Sequence, residues 1–278
     1  MLDEHVQGRP AQRLRPYVPF YSGYRQEGVA PAVHRGLPSP YLTLIFTMDD
    51  PLVIARHPDP RQAAGRYDSL AGGLHLTPAL ITHDGRQSGV QVTVSPLGCR
   101  ALFGLPASEL RDQDVDAAEL FGPHVVDEVR HGLLTAPDWP RRFAVLDTVL
   151  TRVVRDDEVA PQIAYALERV RTPSVSVAKL ADEVGWSGRH LTDRFRAEIG
   201  LRPKEAARVA RFDRARRALR PSARLADIAA AHGFADQSHF VREFHAFAGC
   251  TPSRWIADEF GFIQALSAAG ANDGRHDL

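Results

Sequence analysis

Apolar positions in the last third of the chain recur with helical spacing, and the whole pattern then repeats. Val177, Leu180, Ala181 and Val184 stand at i, i+3, i+4 and i+7, one face of a helix. Gly185-Trp186 follows, then Leu191, Phe195 and Ile199 at helical spacing, then Gly200 and Pro203. Leu225, Ile228 and Ala229 restart the pattern, followed by Gly233-Phe234, then Phe240, Phe244 and Phe247, then Gly249 and Pro252. The first helix and the Gly-aromatic pair recur at an offset of 48, the second helix and its stop at 49. One residue is therefore inserted in the second turn. The spacing predicts a tandem unit of helix, Gly-aromatic turn, helix and Gly-x-x-Pro stop.

Two short helices joined by a tight Gly-containing turn follow the helix-turn-helix plan. Gly185 and Gly233 fall where the first helix must end, a place that favours positive φ. Ser187 and Asp236 are the expected N-caps of the two second helices. A longer helix, Lys204 to Leu219, joins the units, and Pro161 to Val170 is a helix ahead of them.

Upstream the period changes from helical to alternating. Met1 to Arg13 is polar and expected to be loose, and Leu14 to Tyr24 reads as extended and partly buried. Tyr41 to Met48 reads as a strand, turned by Asp49-Asp50-Pro51 so that Leu52 to Ala55 pairs back as a hairpin. His57 to Gly73 reads as a loop, with Leu74 to Leu76 and Ala79 to Thr82 as short strands. Gly89 to Ser95 alternates Val90, Val92 and Val94 as a half-buried strand. Several short strands in series suggest a small antiparallel sheet or barrel. Helices are then predicted over Ser108 to Phe121, capped by Ser108, over Pro123 to Leu134, and over Pro140 to Val154. The polar break at Asp156-Asp157-Glu158 places a domain boundary there. The expected class is α+β: a β-rich domain with trailing helices over 1–156, an all-α double helix-turn-helix domain over 160–262, and a polar tail over 263–278.

The tandem unit resembles a known family. Leu180-Ala181, Gly185-Trp186-Ser187, Arg189-His190-Leu191, Phe195-Arg196, Gly200 and Pro203 carry the likeness in the first unit. Ile228-Ala229, the run Gly233 to Phe240, Arg242, Phe244, Gly249, Thr251-Pro252 and Trp255 carry it in the second. Together they resemble the DNA-binding domain of AraC-type bacterial transcription regulators, over about Ala160 to Ala257. The resemblance implies a sequence-specific regulator that binds a double-stranded DNA operator. It also implies a ligand-sensing β-rich domain ahead, with helices that pair two chains. A small-molecule effector, RNA polymerase and a second copy of the chain are accordingly candidate partners.

Charge supports this once it is divided. The whole chain has 34 Lys+Arg against 34 Asp+Glu, which alone argues against nucleic acid. Residues 1–159 hold 16 Arg against 20 acidic residues, and residues 160–260 hold 17 basic against 12 acidic. A basic part tied to an acidic one suits a chain of which one half meets phosphate. No run of 18 apolar residues is present and the N-terminus has no apolar h-region, so the reading is a cytoplasmic protein without span or signal peptide. Two cysteines, Cys99 and Cys250, give neither a disulfide framework nor a zinc set.

The outward faces of the second helices carry the candidate chemistry. At 100° per residue, Arg189, Asp193 and Arg196 oppose the apolar stripe of the first unit, flanked by His190 and Thr192. Ser238, His239 and Arg242, with His245 nearby, do so in the second. Arg suits bidentate bonding to guanine, and Ser, Thr and His suit single contacts. The base-reading set is Arg189, Thr192, Asp193, Ser238, His239 and Arg242; the resemblance points to the same positions. Asp193 departs from the family, where a basic or amide residue is common; it either accepts from cytosine or orients Arg189. The phosphate set is His190, Arg194, Arg196, Gln237, Arg208 and Arg211, with Arg216 and Arg217 as further candidates. The competing account of these residues is a solvated face. If the connecting helix is rigid, it holds the two recognition helices about one DNA turn apart, ~34 Å.

No catalytic constellation, cofactor or metal site is expected. His34, His75 and His83 lack metal-ligand spacing, and no Gly-x-Ser-x-Gly, phosphate loop or His-Glu-x-x-His is present. Cys99 beside Arg100 is a candidate redox thiol, against the simpler account of a small buried residue. Tyr17, Phe20, Tyr21, Tyr24, Tyr41 and Phe46 are core aromatics or a pocket lining. Two other classes stay open: an enzyme or repair protein with a DNA-binding appendage, and a helical protein-interaction module.

Overall fold

A computed structural model of the chain describes residues 2–157, 159–172 and 176–258. The first half forms two antiparallel sheets. The larger runs β1 (Leu2–Gly8), β2 (Tyr21–Glu27), β9 (Arg86–Val94), β4 (Leu42–Thr47), β7 (Ser69–Gly72) and β10 (Asp114–Asp116), in that spatial order. The smaller runs β3 (Ala32–Gly36), β8 (Ala79–His83), β5 (Leu52–Arg56) and β6 (Gly65–Tyr67).

Alternation along β4 explains the layering. Leu42, Leu44 and Phe46 face the main core with Tyr21, Val90, Val92 and Val94. Ile45 faces the other way and packs with Leu52, Ile54 and Leu70 between the sheets. The large sheet is thus covered on both faces, by the small sheet and by the helices α3 (Pro123–Thr135) and α4 (Trp139–Val153). Phe143 of α4 stacks on Tyr21 at 5.7 Å, and the Tyr21 hydroxyl donates to Asp147 at 2.9 Å. Two shorter helices, α1 (Gly98–Phe103) and α2 (Ala117–Phe121), complete this half.

Several expectations are corrected. Residues 2–8, expected to be loose, pair along their whole length with β2. Their side chains are mostly polar because the strand lies at a sheet edge, where burial does not impose alternation. Leu14 to Tyr24, expected to be extended, begins on the last residue of a 3-10 turn (Gln12–Leu14), turns over 15–17 and enters β2 at Tyr21. The expected hairpin of 41–48 with 52–55 does not form: β5 crosses to the small sheet and pairs with β6 and β8. Crossing lets Leu52 and Ile54 face Ile45 across the sandwich. The expected loop 57–73 contains β6 and β7, whereas 74–76 is not a strand. The helix expected over 108–121 is three pieces: a 3-10 turn Ala107–Leu110, β10 and α2. Asp112, at φ 58°, breaks it, and Asp116 rather than Ser108 is the cap, accepting from the Ala118 amide.

The second half is helical: α5 (Pro161–Val170), α6 (Val177–Glu183), α7 (Gly188–Ile199), α8 (Pro203–Ala218), α9 (Leu225–Ala231), α10 (Gln237–Ala248) and a further helix over 252–258. Their buried stripes are the expected ones, Leu191, Phe195 and Ile199 in α7 and Phe240, Phe244 and Phe247 in α10. The larger of the two buried apolar clusters runs from Leu14 to Trp255, crossing the expected boundary at 156–160. The expected tail, 263–278, lies outside the described residues.

Candidate nucleic-acid interface

The two units share their hydrogen bonds as well as their sequence pattern. Gly185 and Gly233 have φ of 72° and 74°, the left-handed backbone that glycine adopts without penalty. That turn lets the Trp186 amide reach the Ala181 carbonyl and the Phe234 amide reach the Ala229 carbonyl, each at 2.9 Å. The Ser187 hydroxyl accepts from the His190 amide at 3.2 Å, and the Asp236 carboxylate accepts from the His239 amide at 2.6 Å. The aromatic after each glycine meets the edge of the histidine in the next helix: Trp186 with His190 at 4.7 Å, Phe234 with His239 at 5.5 Å. The inserted residue lies within this turn, and the helix behind it starts in the same register.

The candidate residues divide by what their side chains already hold. On α7, Arg189 and Asp193 are 95% and 70% exposed and 3.9 Å apart, a pair worth at most about 0.5 kcal/mol in such an i,i+4 setting. Both are open to a ligand. His190, Arg194 and Arg196 are exposed as well. Thr192 is half-buried and its hydroxyl donates to the Gly188 carbonyl at 2.8 Å, leaving only an acceptor role. On α10, Ser238 and Arg242 are exposed. His239 is half-buried, and its Nδ1 accepts the Ala235 amide at 3.1 Å. In the neutral ring this fixes Nε2 as the donor. Gln237, expected in the phosphate set, is exposed.

Arg208 and Arg211 are differently placed from the other phosphate candidates. Arg208 Nε donates to Glu243 Oε1 at 2.6 Å and Arg211 to Glu243 Oε2 at 2.7 Å. Their guanidinium groups also lie over Phe247 at 5.1 Å and Phe234 at 4.6 Å. Arg216 and Arg217 are bound to buried Asp213 at 2.6 and 2.8 Å. The helical period correctly puts all four on α8, but their carboxylate partners are not visible in it.

Helix α1 and the 3-10 turn Ala107–Leu110 touch the first unit directly. Arg100 donates to both oxygens of Glu198, at 2.6 and 2.9 Å. The Ser108 hydroxyl donates to the Ala197 carbonyl at 2.6 Å, and Arg111 to the Gly200 carbonyl at 2.8 Å. Arg35 pairs with Asp258 at 3.2 Å, and Arg171 lies over Tyr41 at 4.6 Å. Sequence reasoning missed these contacts, since no local pattern links residues about a hundred positions apart. Cys99 is fully buried; burial first, then Glu198, pushes its thiol up to about 12 against the pull of Arg100. That is a protonated, inert thiol, and a redox role loses its physical basis.

Of the six aromatic candidates, Tyr24 borders a cavity of about 440 Å³ between the sheets, shared with Arg66, His83 and Arg86. Tyr21 and Phe46 are in the core. Among the described residues no group of three or more His, Cys, Asp or Glu could hold a metal ion, and no helix is long and apolar enough to cross a membrane.

Known proteins resemble the chain in two stretches. A family profile described as a helix-turn-helix domain matches residues 180–258, and one described as a domain of unknown function (DUF6597) matches residues 7–116. An uncharacterized HTH-type transcriptional regulator of Staphylococcus aureus is 28% identical over 121 residues, 43% of this chain and 16% of that protein. The uncharacterized HTH-type transcriptional regulator YbfI of Bacillus subtilis is 29% identical over 92 residues, 33% of this chain and 34% of YbfI. The chain thus spans about a sixth of the length of the Staphylococcus relative and a third of YbfI. A crystal structure of an apo ToxT variant from Vibrio cholerae aligns over 86% of this chain and 96% of its own, with TM-score 0.52 and 11% identity, a likeness of fold.

Proposed function

We infer, from the AraC-type helix-turn-helix domain that this chain carries at residues 180–258, that the protein is a sequence-specific DNA-binding transcriptional regulator. Its recognition helices, α7 and α10, would enter two successive major-groove segments of a non-palindromic operator. The observation that carries the reading is the duplication itself: two units with the same left-handed turn, the same cap and the same outward polar face on a helix start. A single hairpin of helices would be an ordinary packing motif. Two in matched register, each with an arginine left open on its solvent face, form a paired reading surface.

Within this reading the open side chains are the readers. Arg189 and Arg242 present forks suited to guanine O6 and N7. His239 offers Nε2–H, Ser238 a hydroxyl, and Asp193 an acceptor for cytosine N4. His190, Arg194, Arg196 and Gln237 flank them toward the phosphates. Arg208 and Arg211 would reach phosphate only with N–H groups left over from Glu243. In this reading residues 1–156 are the regulatory part and residues 160–262 the reading part. A small-molecule effector would take the cavity that Tyr24 borders, and RNA polymerase and a second copy of the chain are the remaining partners of this reading.

The test is selection of bound sequences from random duplex DNA by the purified chain at near-physiological salt. Two enriched blocks about one helical turn apart support reading by both units. One block means that one unit reads and the other only positions. No enrichment, with and without cell extract, rejects the reading; binding that does not weaken with salt favours a protein-interaction module.

A further inference from the structure

We propose that Glu243 is a positioning residue that sets the spacing between the two DNA segments the chain can read at once, by fixing recognition helix α10 to the connecting helix α8. The proposal rests on the DNA-reading function above and adds to it the determinant of site spacing.

The two units correspond position by position and differ at one contact. The repeat is longer than the helix-turn-helix: α5 ends at Val170 and α8 at Ala218, again 48 residues apart. Each recognition helix meets an equivalent helix, α7 meeting α5 and α10 meeting α8, the latter through Phe212 against Phe244 and Phe247 at 5.3 and 4.9 Å. In the first unit the position matching Arg211 is Ile163, which is buried, and the position matching Glu243 is Arg194, which is exposed. Arg194 makes no ion pair with α5 or α8 among the described residues. The first unit thus rests on apolar contact alone at this point, which is non-directional. The second replaces it with a carboxylate held from two sides by Arg208 and Arg211.

A carboxylate accepting two charge-assisted hydrogen bonds has a fixed orientation as well as an energy. Burial alone would raise the Glu243 carboxyl, but Arg211 and Arg208 outweigh it and hold it below its ordinary value. The clamp is also continuous with the turn of the unit: Arg211 donates to the Gly233 carbonyl at 3.3 Å and covers the Phe234 ring. One helix, α8, therefore grips the turn, its aromatic and the middle of α10. Glu243 is the neighbour of Arg242, so the turn of helix that would read a base is the turn that is fixed. Because α8 begins directly after the first unit, at Pro203, its angle to α10 is a main determinant of how far apart the two reading faces lie.

The experiment uses the full chain and the site recovered by selection, with one base pair inserted or deleted between the two blocks. Each such change rotates the outer block by about a tenth of a turn, and wild type is expected to lose about tenfold in affinity per step. Glu243→Gln keeps the volume but turns one acceptor into a donor facing an arginine. It is expected to cut that spacing penalty to about threefold or less while the base preferences inside each block persist. Arg211→Gln breaks the same clamp from α8 and is expected to give the same flattened profile; it carries the test if Glu243→Gln does not fold. Equal loss at every spacing, with the wild-type profile retained, would make Glu243 a stabilising residue only and overturn the proposal. A wild-type chain that enriches a single block reads DNA with one unit and overturns this proposal, whereas one that enriches no site overturns the DNA-reading function itself; both results are distinguishable from failure of the clamp.

Discussion

Arg242→Ala is the substitution that most directly separates reading from holding. Arg242 is exposed on α10 and makes no hydrogen bond or ion pair among the described residues. Its removal should leave folding stability within about 0.5 kcal/mol. If the side chain is bidentate to a guanine, the loss of discrimination at that base pair is about 1–3 kcal/mol. At about 1.4 kcal/mol per tenfold, that is a drop of roughly five- to 150-fold in the preference for the correct base. The assay is fluorescence anisotropy on the selected site and on each single-base variant, at several salt concentrations. The expected pattern is one position whose substitution no longer matters, with the other positions unchanged. Arg211→Ala removes the same formal charge from the same unit, but this guanidinium holds Glu243, Gly233 and Phe234. It should lower stability by about 2–4 kcal/mol, the combined worth of a charge-assisted hydrogen bond and a cation–π interaction. Equal loss of binding on every sequence for Arg242→Ala, with the salt slope reduced by about 0.9, would make Arg242 a phosphate contact and refute the reasoning.

The two caps offer an internal comparison. Ser187→Ala and Asp236→Ala should each cost about 1 kcal/mol in chemical denaturation, since each removes the acceptor for one helix-start amide. Acid sensitivity has a named source in the small sheet: burial, then repulsion from the stacked His83, lowers His34 to about 4 from 6.5. The folded state keeps this ring neutral where the unfolded chain protonates it, so its contribution is complete above about 6.5 and is lost as pH falls toward 4. The urea midpoint of His34→Phe should therefore fall less over that interval than that of wild type; equal falls would place the acid sensitivity elsewhere.

How much of this is legible in the sequence depends on whether the interactions are local. The helical half follows from a period of 3.6 punctuated by Gly185, Gly200, Gly233 and Gly249, and its caps sit where the sequence puts them. β4 and β9 are legible because alternating apolar residues sit on a buried face. β1 is not, because an edge strand need not alternate, and β5 has a partner other than the expected one because strand pairing is a long-range choice. The segment 108–121 has enough helix-forming residues to look continuous, and only the backbone at Asp112 divides it. In the candidate interface, the outward faces are readable from helical geometry. Which arginines are already engaged is not, since Glu243 lies 32 positions from Arg211 and 35 from Arg208.

The connected core has a thermodynamic consequence. Leu14 in the β-rich part and Trp255 beyond the second unit belong to one buried cluster, and Arg100 grips Glu198 across the junction. Melting of such a chain is expected to be one cooperative transition in which the reading helices and the sheets lose structure together. A ligand bound anywhere on the folded chain then raises the same transition, by about 2.7 kcal/mol when present at a hundred times its dissociation constant. Operator DNA and an effector in the cavity beside Tyr24 would both register as a shift of one melting curve. Thermal shift on the whole chain is thus a ligand search that needs no knowledge of where the ligand sits.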